Sequence, residues 1–364
     1  MWTTRLGHLA INNYLYVAQK RLGQEEKCSA RLVFGANPCN RQLFEMWRRV
    51  MPVHESRALT AFYMYTQDII RDLPLFRTLP HDIGKRHIAN AHELVTKCGR
   101  VLEFMPREHE RGKALLKEMG LGDGDWFVCF QARDSSYHDK RIGRDPSGHR
   151  NTEIGTFLEA AKMIADRGGF AIRMGAAVSE PLPRDLDPRI IDYAVKHRSD
   201  FGDIYLLGNC RFFVASMTGM SSVPSLFGVP SALTNQVPLV PNPCGRNSLF
   251  IPKLLKDKGT GELATFKTHF ELIGSAALFN TSSHIWFGGE TFENERYTLI
   301  DNDSAEIADL CRDMFDLLDG KSPPKKGSDL QDVYSRVHLA DLPDVGNFGA
   351  RIGPRFSVKY SRLF

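Results

Sequence analysis

The chain has 364 residues, 42% of them hydrophobic and 25% charged, with a formal net charge of +4. This composition excludes a disordered chain and leaves room for about two domains with real cores. The weak positive charge is too small to imply nucleic acid and suits a small anionic ligand.

Nothing in the chain has the ~18-residue apolar run of a membrane helix. The start, Met1-Trp-Thr-Thr-Arg5, lacks the apolar core of a signal peptide. Seven scattered cysteines with no C-x-x-C pair read as reduced thiols of a cytoplasmic protein, with neither a disulfide framework nor a zinc site.

In chain order, a very short strand at 2–6 leads through Arg5-Leu-Gly-His8 into a helix ending near Leu22-Gly23. Lys27–Phe34 reads as a strand. Asn40 is placed to cap a helix over Gln42–Val50, and another helix runs from Glu55 to Asp72. The segment Ile83–Lys97 is helical but mixed, Arg100–Met105 reads as a strand, and Glu108–Met119 as a helix stopped by Gly120. A turn-rich break follows at Leu121–Asp125.

Beyond the break the alternation of strand and helix is clear. Trp126–Gln131 is a continuous apolar strand, as expected when both faces are buried. After a long polar loop, Glu153–Arg167 is amphipathic, with Thr152 as its cap. Phe170–Met174 is a strand, Arg189–Ala194 a short helix, and Asp203–Gly208 joins a strand to a turn. Ser231–Leu233 is a strand, Ile251–Leu255 a helical turn, and Phe266–Ser275 and Asp303–Leu318 are helices. Ser322–Gly327 is a linker, and Asp329–Val337 a last helix before irregular basic sequence. Such alternation implies α/β architecture with parallel sheets and ligands outside the carboxyl ends of the strands. We expect an N-terminal domain at 1–120, a second at 121–320, and a tail at 321–364 that packs back on the N-terminal domain.

The stretch Arg211–Pro230 organises the second domain. An apolar strand, Phe212–Ala215, enters a turn of small and hydroxyl residues. A short helix from Ser222 to Phe227 follows, stopped by Gly228. This geometry gathers backbone N–H groups and hydroxyls, so Thr218, Gly219, Ser221 and Ser222 are candidates to hold a phosphate. An ordinary helix cap is the alternative.

Other candidates lie at neighbouring strand ends. Gln131-Ala-Arg133-Asp134-Ser-Ser-Tyr137-His138-Asp139 leaves the end of a buried strand, where sites concentrate. The planar fork of Arg133 suits a diphosphate, and Asp134, His138 or Asp139 could serve as a base. Lys140, Arg141, Arg144, His149 and Arg150 form a local basic cluster, with Asn151 beside it. Arg173 and Gly175 end the next strand; Arg173 reaches the same phosphate or forms a strand-end salt bridge. His8 is a candidate base on the opposite wall, with Gly7 allowing close backbone approach. The phosphate-loop, zinc-protease, nucleophile-elbow and dinucleotide fingerprints are all missing from the sequence. Gly122-Asp-Gly-Asp125 precedes its strand and reads as a turn, so no metal is expected.

Taken together, Gln131–Asp134, Arg150–Thr152, Phe170–Gly175 and Cys210–Asn235 resemble a family of bacterial glycosyltransferases. That family has the two-Rossmann-domain GT-B fold and accompanies surface-polysaccharide genes. The resemblance covers about 121–275. There is a weaker likeness to fucosyltransferase-type GT-B enzymes, whose pattern has His where this chain has Gln131. The resemblance implies that Arg133 takes the β-phosphate and that Thr218, Ser221 and Ser222 line the phosphate pocket. It implies a nucleotide-sugar donor and a glycan acceptor as partners, with no cofactor and no metal. A cytoplasmic location follows, with a peripheral inner-membrane contact through the basic C-terminal tail as an option. The alternative is a catalytically silent nucleotide- or glycan-binding module on the same fold. A nicotinamide-dependent oxidoreductase is disfavoured by the missing glycine fingerprint.

Overall fold

The computed structural model describes residues 3–24, 33–71, 87–134, 136, 148–237, 244–273, 293–323, 325–334 and 350–364. Most of the expected strand Lys27–Phe34 falls outside these, as do Tyr137, His138, Asp139 and the Lys140–Arg144 part of the basic cluster.

A seven-stranded parallel sheet forms the centre of the second half. Its strands are β3 (Phe127–Gln131), β4 (Phe170–Arg173), β5 (Ile190–Ile191), β6 (Phe213–Ala215), β7 (Ser231–Gln236), β8 (Ser248–Pro252) and β11 (Ala350–Ile352). Across the sheet they run β11-β8-β7-β6-β3-β4-β5. The apolar run of β3 is buried on both faces, as its sequence demands. Phe127 and Cys129 point into one hydrophobic layer, Val128 and Phe130 into the other.

Helices cover both faces. On the Val128 side lie α6 (Leu158–Asp166), α11 (Ser304–Leu318) and α13 (Pro354–Lys359). On the Cys129 side lie α8 (Asp200–Asn209) and α9 (Val223–Leu226), together with α1 (Leu6–Arg21), α2 (Arg41–Val50) and α4 (His87–Cys98) from the N-terminal part. The α/β expectation is borne out. Among the described residues the first 120 contribute one two-stranded parallel pair, β1 (Val33–Gly35) with β2 (Val53–Glu55). Their core is continuous with that of the sheet, since Leu9, Tyr14, Phe44 and Trp47 share one cluster with Ile204, Phe213 and Leu226.

Several local signals act as read. Asn40 Oδ1 accepts from the Leu43 N–H at 2.9 Å and caps α2. Gly23, at φ 68°, ends α1, and Gly228, at φ 75°, follows α9. Asp303 and Glu306 form a capping box on α11.

Others differ. Arg100–Met105 forms no strand; the N–H groups of Val101 and Leu102 both donate to the Leu226 carbonyl, strapping this segment to the end of α9. Asp203–Gly208 lies inside α8, capped by Ser199, and Ile251–Leu255 spans β8 and β9 (Leu254–Asp257). Ile190–Ile191 is a sheet strand within the helix expected over Arg189–Ala194. Thr152 does not cap its helix; its hydroxyl is buried without a partner among the described residues.

The C-terminal segment was expected to pack back on the N-terminal domain. Instead, residues 350–364 complete the second. β11 pairs with β8, and Phe356 and Leu363 sit in the Val128-side core. Arg355 pairs with Asp313 and Asp316, and Lys359 with Glu306. The tail's aromatic rings are therefore packed inward, and two of its four cations are held by carboxylates.

Candidate functional site

The order of strands locates the site before any side chain does. The chain leaves β3 for β4 and β5 on one side, then returns to β6 on the other and continues through β7 and β8. At such a reversal the two loops leaving adjacent strands diverge and open a crevice at the carboxyl ends. Here those are the loops after Gln131 and after Ala215, which face each other in register.

Hydrogen bonds tie these loops together. The Arg133 N–H donates to Ser216 Oγ at 2.8 Å, and the Ser216 N–H to the Gln131 carbonyl at 3.2 Å. Arg133, 7% exposed, donates from its guanidinium to Asn151 Oδ1. The Arg133 carbonyl accepts from Thr152 at 2.9 Å. Arg150 lies in a single 3-10 turn, Gly148–Arg150, and donates to the Met217 carbonyl from Nε and Nη2 at 3.2 and 2.9 Å. The Arg150 guanidinium thus reaches the β6 turn at a backbone carbonyl, whereas Arg133 reaches it through its N–H while its guanidinium is held by Asn151.

The turn is a 3-10 segment, Gly219–Ser222, running directly into α9. Thr218 begins it in extended conformation, its hydroxyl accepting from Met220 N–H at 3.3 Å. Ser221 Oγ donates to the Thr218 carbonyl at 2.6 Å. Ser221 and Ser222 are buried, whereas Gly219 is exposed. The first turn of α1 rests on this exposed point. A Cβ on Gly7 would lie 2.9 Å from Gly219 Cα, so two glycine backbones touch where side chains have no room. Gly7 was read as admitting a ligand; it admits Gly219. His8, the next residue, is half-buried with Nδ1 3.5 Å from Asn12 Nδ2. The N-terminal end of a 16-residue helix and a hydroxyl-rich turn therefore adjoin at one spot, which favours an anion.

Arg173 and Asp134 are engaged elsewhere. Arg173 is in register with Phe130, and strand alternation aims its side chain at the Val128 face, opposite α1 and the turn. There it is 2% exposed and donates to the Glu180 carbonyl at 2.8 Å and to Asp192 Oδ2 at 3.3 Å. Of its two candidate roles, the strand-end salt bridge is the one these bonds describe. The phosphate contact is not among them. Gly175 packs beside Val178 and Ala194. Both oxygens of Asp134 are occupied: Oδ1 accepts from Ser136 N–H at 2.9 Å, Oδ2 from the N–H and hydroxyl of Ser179 at 3.1 and 3.3 Å. It staples the β3 loop to the β4 loop.

Sequence reasoning counted Ser216 in the turn without giving it a role, and it missed the Gly7–Gly219 contact. Ser216 carries a signal, being the first hydroxyl after the apolar run of β6. The glycine pair joins residues too distant in the chain for any local pattern. Among the described residues no cluster of His, Cys, Asp or Glu could hold a metal ion, and no helix is long and apolar enough to cross a membrane.

No protein-family model matches the chain, and no curated protein matches it in sequence. Solved structures overlap it, among them the following three. One is the ADP-heptose LPS heptosyltransferase II of E. coli, 12% identical with a TM-score of 0.45 over 69% of this chain and 88% of that one. Another is the glycosyl transferase family 9 protein of Veillonella parvula, 14% identical with a TM-score of 0.31 over 67% of each chain. The E. coli heptosyltransferase WaaC with ADP is 12% identical with a TM-score of 0.34 over 69% of this chain and 88% of that one. None of these is of the fucosyltransferase type. The overlaps are loose, and the functional reading rests on the site itself.

Proposed function

We propose that this protein is a glycosyltransferase that moves a sugar from a nucleotide-sugar donor to a glycan acceptor. The observation that carries the reading is the convergence of Arg133, Arg150 and the Thr218–Ser222 turn at the sheet's strand reversal. Cleavage of the bond between sugar and diphosphate leaves negative charge on the departing phosphate. In this scheme the Arg133 guanidinium and the N–H groups of the turn stabilise that charge, with no metal required. Thr218, Gly219, Ser221 and Ser222 line the phosphate side, and Asn151 orients Arg133. The acceptor hydroxyl gives its proton to a base. His8 suits this better than Asp134, because His8 adjoins the turn while both Asp134 oxygens already hold loop N–H or hydroxyl groups. Arg173 supports the sheet edge in this scheme.

Thermal-shift measurements against ADP, GDP, UDP, TDP and CMP test donor binding directly, one stabilising nucleotide naming the donor class. With that nucleotide's sugar derivative, Arg133→Ala is expected to lose about a hundredfold or more in turnover while keeping its fold. Full activity in Arg133→Ala would refute the role. Tight nucleotide binding without transfer or donor hydrolysis would instead favour the silent binding module.

A further inference from the structure

The polar side chains around the strand reversal are largely matched to one another. Ser216 accepts from Arg133, Thr218 from Met220, and Asn151 from Arg133, while Ser221 donates to Thr218. Gln131 and Thr152 break this pattern: the Gln131 side-chain oxygen and the Thr152 hydroxyl are buried with no hydrogen-bond partner among the described residues.

Gln131 is the last residue of β3, opposite Ala215 across the reversal. Alternation along the strand puts its side chain on the face of Cys129, towards α1 and the Gly219–Ser222 turn. That face is otherwise apolar here: Phe127 and Cys129 precede it, and Met174 and Ala215 flank it. A buried acceptor without a donor is unfavourable, and an apolar side chain of similar length would avoid the cost. An amide oxygen cannot bond an ionised phosphate oxygen, since neither has a proton to give. Its complement is an O–H or N–H group close to the phosphate.

On the glycosyltransferase reading above, we propose that Gln131 selects the donor by accepting a hydrogen bond from a sugar hydroxyl next to the diphosphate. Both the transferred sugar and the nucleotide's ribose carry such hydroxyls, and the test separates them.

Gln131→Met keeps the length and removes the acceptor. Wild type and variant are titrated calorimetrically with ADP, GDP, UDP and TDP, and with ADP-glucose, GDP-mannose, UDP-glucose and TDP-glucose. Each is also melted without ligand. The variant should melt at the same or a higher temperature and bind the preferred nucleotide-sugar about tenfold or more weakly. Unchanged affinity for the matching diphosphate assigns the hydroxyl to the transferred sugar; an equal loss assigns it to the ribose. Wild-type affinity for both ligands in Gln131→Met overturns the proposal, as does a lower melting temperature, which would mean that the oxygen serves the fold. In either case the site reading survives if Arg133→Ala loses the diphosphate. A wild-type protein that binds none of these compounds overturns both.

Discussion

Arg173 shows how one residue's position in the pleat decides between two roles. It stands at the end of β4, one strand from Gln131, and in a flat projection it looks placed to reach the same phosphate as Arg133. Register with Phe130 sends it to the other face, where Asp192 and the Glu180 carbonyl hold it. Both partners of this ion pair are nearly inaccessible, at 3% and 7% side-chain exposure. Removing one leaves the other charge buried and uncompensated, so Arg173→Met should lower unfolding stability by about 3 kcal/mol. Adding Asp192→Asn should recover part of that loss. Donor affinity of the folded variant should stay at the wild-type level. Urea titrations of the two single variants and the double variant, with a nucleotide titration alongside, check both statements. A donor-affinity loss larger than the stability loss would restore Arg173 to the phosphate site.

At the scale of elements, what the sequence made legible was set by local causes. The continuous apolar run of β3 could only be a doubly buried strand. The Asn40 cap, the glycine at the end of α1 and the α11 capping box act within one helical turn. The Arg133 loop and the hydroxyl turn were both recognisable from strand-end chemistry. What could not be read depends on partners far along the chain. The extended segment at Val101 is held by Leu226, and the first turn of α1 is seated by Gly219. Helix α5 (Pro106–Glu118) was itself legible, but its bonds to α2 belong to the same long-range class. Its Glu108 closes the N-terminal box and also receives Arg49 and Gln42 from α2. Burial alone would raise the Glu108 carboxyl, but hydrogen bonds from Arg49, the Met105 N–H and Gln42 outweigh it and hold the group down at about 2. A depressed carboxyl contributes stability above its unfolded value near 4.5 and loses it as pH falls towards 2. Burial pushes Asp203 up to about 6, and its contribution has the opposite sign, present at low pH and lost between 3.8 and 6. Glu108→Gln should therefore cost on the order of 2 kcal/mol at pH 7 and much less at pH 3, leaving the Asp203 limb unchanged. Urea unfolding at both pH values measures the difference, and an equal loss at each would contradict the ion-pair account.

For the molecule as a whole, the C-terminal segment decides where the second domain ends. The chain leaves α11, forms α12 (Lys325–Val333), and returns to lay β11 along the outer edge of β8. Helix α13 then closes the layer: Phe356 and Phe364 meet Phe266, and Arg355 neutralises Asp313 against α11. Burial pushes Asp313 up to about 6 even with that guanidinium beside it, so the carboxylate is poorly accommodated without Arg355. Lys359 and the Tyr360 hydroxyl likewise contact Glu306, which also receives Asn302. Asn302 in turn exchanges two 2.7 Å bonds with Asn235, a buried residue at φ 54° near the end of β7. The tail is thus joined by hydrogen bonds to the carboxyl end of the sheet that carries the candidate site. Deleting residues 350–364 should expose Phe266 and β8, strand Asp313 and Glu306, and lower the melting temperature by about 10 °C or more. A basic membrane arm would behave differently. Its removal would leave the melt unchanged and abolish sedimentation with phosphatidylglycerol vesicles. Running both measurements on the full chain and the truncation distinguishes the two, and an unchanged melting temperature would mean that the segment does not complete this domain.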